Sequence, residues 1–135
     1  MSAFFDTNIL VYAQQMDGKG DRARALFAGG GKLSVQVLNE FTAVSRRKQR
    51  RDWREIDEAV ADVLTMVDPP LVLTLDLHHS ARALAQDHRL SFYDALIVST
   101  AIEAGCDTLF SEHMQHGRSI GELAIVNPFL ESGGA

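Results

Sequence analysis

An internal disulfide is excluded from this chain at the outset, because Cys106 is the only cysteine among its 135 residues. Its place after Ala104-Gly105 marks a small buried filler, and a reducing, cytoplasmic setting fits such cysteine usage. No apolar run approaches the roughly 18 residues of a membrane span, which predicts no membrane association. The opening Met1-Ser-Ala-Phe-Phe-Asp6 has no basic segment followed by a long apolar stretch, so no export signal is expected.

Several site chemistries are missing as well. The Gly29-Gly30-Gly31 run is not followed by the Gly-Lys-Ser/Thr pattern of a phosphate-binding loop. His78, His79, His88 and His116 have no zinc-like spacing with cysteines or with one another. Ser111 and His113 are available to a serine triad, yet there is no Gly-x-Ser-x-Gly elbow. A phosphatase built on Asp6 would need a second Asp two residues on, where this chain has Asn8.

Net charge is −5, which argues against a broad basic surface for nucleic acid. The cations are nevertheless segregated: Arg46, Arg47, Lys48, Arg50, Arg51 and Arg54 fall within one short stretch, enough for a local polyanion patch. They also complement the dipole at the end of a helix, so the cluster has a structural reading beside the functional one.

What is present is an ordinary globular balance, 46% apolar and 23% charged, with length for one domain and a real core. A single domain over residues 1–130 is expected, followed by a disordered tail at 131–135, with no internal repeat. Short apolar runs at Ala3–Phe5, Lys32–Val35, Leu71–Leu73, Thr108–Phe110 and Leu123–Val126 read as strands. Between them, helical spacing predicts helices after Asp6, over Asp17–Ala28, from Gln36 into the basic cluster, from Asp52 to Val67, from Asp76 to His88 and from Ser91 to Gly105. Strands alternating with helices, on connections too long for hairpins, predict an α/β fold with a central parallel sheet of four to five strands covered on both faces.

The Ser91–Gly105 stretch organises the rest, because it is apolar nearly all round and yet carries Asp94. Asp94 projects with Ile97, Val98 and Ala101 rather than with Glu103. Two roles compete for it. Ser91-x-x-Asp94 can close a capping box, or the acid can face a cleft where it meets other carboxylates. In a parallel sheet the cleft lies beyond the carboxyl ends of the strands. The polar residues at those ends are Asp6, Thr7 and Asn8, then Ser34 with Glu40, then Ser111, Glu112 and His113. Carboxylates gathered there repel one another unless a cation neutralises them, which implies Mg2+ or Mn2+ and points to phosphodiester hydrolysis.

Asp6-Thr-Asn-Ile-Leu-Val-Tyr-Ala13, Glu40 within Leu38-Asn-Glu-Phe41, Phe92-Tyr-Asp94-Ala-Leu-Ile-Val98 and Gly105-Cys-Asp-Thr-Leu-Phe-Ser-Glu112 together resemble the PIN-domain family, in particular its VapC-like toxin ribonucleases. The resemblance runs through Asn127-Pro128-Phe129. It implies a three-layer α/β/α domain, a metal-dependent endoribonuclease acting as the toxin of a toxin–antitoxin pair, a cognate antitoxin as partner, and homodimers. Carried over position by position, Asp6, Glu40 and Asp94 match metal-binding carboxylates, and Thr7, Asn8 and Ser111 match auxiliary polar positions. Arg46, Arg47, Lys48, Arg50 and Arg51 are candidates for contact with the RNA backbone.

One departure stands out. Where the family usually has an acid after the fourth strand, this chain has His113, leaving Glu112 or His113 itself for a further metal position. Imidazole suits Mn2+ better than Mg2+. A second reading follows: a PIN-like binding module, for RNA or antitoxin, whose turnover is impaired by His113.

Overall fold

The computed structural model describes residues 2–130. The expected tail at 131–135 lies outside them. Three strands, β1 (Ala3–Phe5), β2 (Thr108–Phe110) and β4 (Leu123–Val126), run parallel in the order β1-β2-β4, and β3 (Ser119–Ile120) adds an antiparallel edge beside β4. Every residue of β1 and β2 is buried, as it must be when helices cover both faces of a sheet. The described residues form six helices: α1 (Thr7–Ala13), α2 (Gly18–Ala28), α3 (Val35–Arg47), α4 (Trp53–Met66), α5 (Leu75–His88) and α6 (Phe92–Glu103).

The sheet is therefore mixed, not purely parallel. The unexpected β3 pairs with β4 through Gly121-Glu122, and Gly121 has φ 58°, the conformation a two-residue hairpin needs at its first turn position. The expected second and third strands are present only as single parallel bridges, Phe4 with Lys32 and Ser34 with Leu71. Their neighbours explain the brevity. Pro69-Pro70 has no N–H to extend a ladder before Leu71. Before Lys32, Gly31 turns with φ 157° against the Phe5 ring, where an added Cβ would lie 2.5 Å from a ring carbon.

Local chemistry sets the helix starts. Asp6, Asp17, Ser34, Asp52, Thr74 and Ser91 each cap the following helix with a side-chain oxygen on a backbone N–H. In α4 the Asp52–Glu55 capping box closes in both directions. Its apolar stripe is split: Ile56, Ala59 and Val63 enter the core, whereas Trp53 and Leu64 are exposed. Helix α6 buries Ala95 through Ala101 without a break, which is why its apolar residues show little sidedness in the sequence. The core joins Phe4, Phe5, Leu109, Phe110 and Ile125 of the sheet to Phe27, Phe41 and Val98 of the helices. Cys106 is buried at its margin. Among the described residues no helix is long and apolar enough to cross a membrane.

Candidate active site

Parallel pairing brings the carboxyl ends of β1 and β2 side by side, with Phe5 opposite Phe110. The next residues are Asp6 and Ser111, and the Asp6 N–H donates to the Phe110 carbonyl at 3.0 Å. Residues 105 positions apart thus become neighbours: the Ser111 hydroxyl donates to Asp6 Oδ2 at 2.7 Å. Asp6 Oδ1 accepts from the Thr7 N–H at 2.7 Å as the α1 cap. Asp6 is fully buried, and burial pushes its carboxyl above the ordinary value, opposed by the His113 charge and by these two bonds.

Asp94 comes from the first turn of α6. The Ser91 half of its capping box forms, with the Asp94 N–H on Ser91 Oγ at 3.3 Å. The Asp94 carboxylate turns to the cleft instead: its Oδ1 lies 2.7 Å from His113 Nε2. The other ring nitrogen, Nδ1, lies 3.2 Å from Asp6 Oδ2 and 3.3 Å from Asn8 Oδ1. One imidazole therefore spans two carboxylates. The bond to Asp94 raises the His113 pKa to about 9 against the effect of burial, with added attraction from Asp6, Asp94 and Glu40, so the ring is an imidazolium at neutral pH. Burial alone would raise Asp94, but the bond and charge of His113, with Ser91, hold it below the usual carboxylate range.

Glu40 joins through α3. Its Oε2 accepts from the Thr7 hydroxyl at 3.0 Å and its Oε1 from the Gln36 amide at 2.7 Å. Gln36 is buried and also donates to the Tyr93 carbonyl at 3.1 Å, tying Glu40 to the backbone beside Asp94. Gln36 escaped the reading of the sequence. Its i, i+4 spacing to Glu40 was the available signal, but such a pair is usual on solvated helices too.

Glu112 points elsewhere. It accepts from the Tyr12 hydroxyl and from Lys19 Nζ at 2.7 Å, and those bonds, against burial, lower its pKa. Lys19 also sits 4.6 Å from the centre of the Tyr12 ring and 5.6 Å from that of Phe129. Of the two alternatives after β2, His113 faces Asp6 and Asp94 while Glu112 pins α1 and α2 together. In the basic cluster, Arg46 is occupied: it lies 4.7 Å over Trp53 and donates to the Arg51 carbonyl at 3.1 Å. Arg47, Lys48 and Arg50 are exposed and Arg51 is half-buried.

The donors suit a hard divalent cation in kind, since Asp6, Glu40 and Asp94 offer carboxylate oxygens and buried Asp6 needs a positive neighbour. Their present arrangement supplies that neighbour from within the protein. Among the described residues no three His, Cys, Asp or Glu side chains are disposed as a ready metal cage, because His113 stands between Asp6 and Asp94.

A PIN domain family model matches residues 3–114. Curated protein sequences give no match. Among solved structures, a chain of a toxin–antitoxin complex from Klebsiella pneumoniae superposes with TM-score 0.70 at 20% identity, covering 95% of this chain and 98% of that one. The sarcin-ricin-loop-cleaving toxin VapC20 of Mycobacterium tuberculosis gives 0.63 at 25% identity over 82% and 88% of the two chains. A chain of VapBC2 from Rickettsia felis, solved with a DNA fragment from its promoter, gives 0.68 at 21% identity over 93% and 97%.

Proposed function

As the chain belongs to the PIN domain family, we propose that it is a divalent-metal-dependent endoribonuclease, the toxin of a toxin–antitoxin pair, with Asp6, Glu40 and Asp94 as its metal-holding residues. The convergence of Asp6 and Asp94 on one imidazolium, with Glu40 linked through Thr7, carries this reading. The likeness to VapC20 and to chains of two toxin–antitoxin assemblies supports it. A cognate antitoxin and a homodimeric state belong to the same proposal.

The reaction is hydrolysis of an RNA phosphodiester: water adds at phosphorus and the bond to the leaving sugar oxygen breaks. A bound Mg2+ or Mn2+ would lower the pKa of a coordinated water and neutralise charge developing on the phosphate. The protein's own part is orientation. Ser111 and the Thr7 N–H hold Asp6, while Thr7 and Gln36 hold Glu40, so both acids are fixed before substrate arrives. His113 stands between Asp6 and Asp94 and would have to yield or share its place with a bound metal.

The purified protein should cleave single-stranded RNA with Mn2+ or Mg2+ and lose that activity on chelation and in Asp94→Asn. Equal cleavage by wild type and Asp94→Asn would remove this site from the reaction. A second reading, a PIN-fold module that binds RNA or antitoxin without turnover, draws on the same imidazole, which fills the space between the acids. It expects no cleavage by wild type and metal-dependent cleavage by His113→Asp.

A further inference from the structure

Beside the carboxylates a groove of about 350 Å3 opens between α1 and α3. Asn8, Val11 and Tyr12 line one wall, and Glu40, Val44 and Lys48 line the other. The second set falls at i, i+4 and i+8, so it forms a single stripe along the helix. At 1.5 Å per residue, the stripe runs about 12 Å from Glu40 to Lys48. One end is the acidic site, the middle is apolar, and the far end is cationic.

That far end is unusual in this acidic protein. Among the described residues Arg47, Lys48, Arg50 and Arg51 enter no salt bridge, although Lys19, Arg24, Lys32 and Arg54 all do. The turn after α3 is tight: the Lys48 and Gln49 N–H groups both return to the Val44 carbonyl, and the Arg51 N–H bonds the Ser45 carbonyl. Arg50 takes a left-handed φ of 52°, a conformation disfavoured for a residue with a Cβ. Lys48, with no acidic partner, thus stands at the far end of a groove that starts at the carboxylates, and Arg47, Arg50 and Arg51 are its neighbours in the chain.

Resting on the ribonuclease reading, we propose that this groove is the track of the RNA single strand, with Lys48 taking a backbone phosphate about one helix-stripe length from the scissile bond. The gradient explains the choice of ligand. A backbone phosphate matches the unpaired Lys48 ammonium at the far end, and the apolar middle at Val11 and Val44 accommodates the flat face of a base. Arg46 lies outside the track, because Trp53 and the Arg51 carbonyl already occupy it. This divides the basic cluster into a structural arginine and a phosphate-binding group led by Lys48.

The experiment is fluorescence anisotropy with a labelled, mixed-sequence single-stranded RNA carrying 2′-O-methyl sugars to block cleavage, titrated at several NaCl concentrations. Lys48→Ala should weaken binding on the order of five-fold and reduce the steepness of log K against log salt by about 0.7, the loss of one single-strand phosphate contact. Lys48→Glu should weaken it further, whereas Arg54→Ala, which breaks only the Arg54–Glu58 pair, should match wild type. Unchanged thermal unfolding of the exposed-site variants separates lost contact from lost fold. Wild-type binding with unaffected Lys48 variants overturns the groove alone, and failure of the wild type to bind RNA overturns the ribonuclease reading with it.

Discussion

His113 Nε2 lies 2.7 Å from Asp94 Oδ1, a charge-assisted bond between the loop after β2 and the first turn of α6. With Nδ1 turned to Asp6, the ring does for these acids what a bound cation would do.

Competition with metal follows directly. A divalent ion at Asp6 and Asp94 would compete with the imidazolium for the same oxygens, so His113→Ala should bind Mn2+ at least about ten-fold more tightly than wild type. That factor corresponds to one charge-assisted bond of about 1.5 kcal/mol. Calorimetric titration of the metal measures it without reference to turnover, and equal or weaker affinity in the variant would show that His113 does not guard the site.

The same pair sets a pH window for the metal-free protein. His113 has a folded pKa raised from 6.5 to about 9, so its contribution to stability is complete below about pH 6.5 and is lost as pH rises through 9. Asp94, lowered from 3.8, contributes above that value and loses its contribution as pH falls through the depressed folded pKa. Thermal unfolding in chelator should show the alkaline decline in wild type and a flatter profile in His113→Asn.

Gln36 should act as a positioning residue. Gln36→Leu removes its bonds to Glu40 and to the Tyr93 carbonyl in a buried site, costing about 1–3 kcal/mol in denaturant unfolding. In RNA cleavage it should lower kcat while leaving KM near the wild-type value, since Glu40 stays present but loses its fixed orientation. A change confined to stability would assign Gln36 to structure alone.

Glu112 offers the contrasting case. Because it faces Tyr12 and Lys19, Glu112→Gln should leave Mn2+ affinity unchanged, while Asp94→Asn lowers it. A fall in affinity in Glu112→Gln, followed by calorimetry, would bring that residue into the metal site.

Core packing supports the site from behind. Phe5, fully buried beside Asp6, has its ring centroid 4.4 Å from that of Phe27 and 6.1 Å from that of Phe110. Phe5→Ala should cost about 3–5 kcal/mol in denaturant unfolding.

Much of this protein was legible in one dimension because the signals are local. Capping residues, a 3.6-residue apolar period and all-apolar strands are written within a few positions of one another, so all six helices and the strands β1, β2 and β4 could be read directly. The acids at strand and helix ends were visible for the same reason. The weak points were places where pairing decides: whether Lys32–Val35 and Leu71–Leu73 extend into strands depends on neighbours far along the chain, and the short β3 has too few residues to show a period. Tertiary structure alone determined that His113 and not Glu112 turns toward Asp6 and Asp94, that Gln36 braces Glu40, and that Lys48 and Arg46 in the same basic run have different surroundings. Side-chain direction in a loop, and the partner a polar group finds across the sheet, are set by residues up to 105 positions away, and no local pattern encodes them.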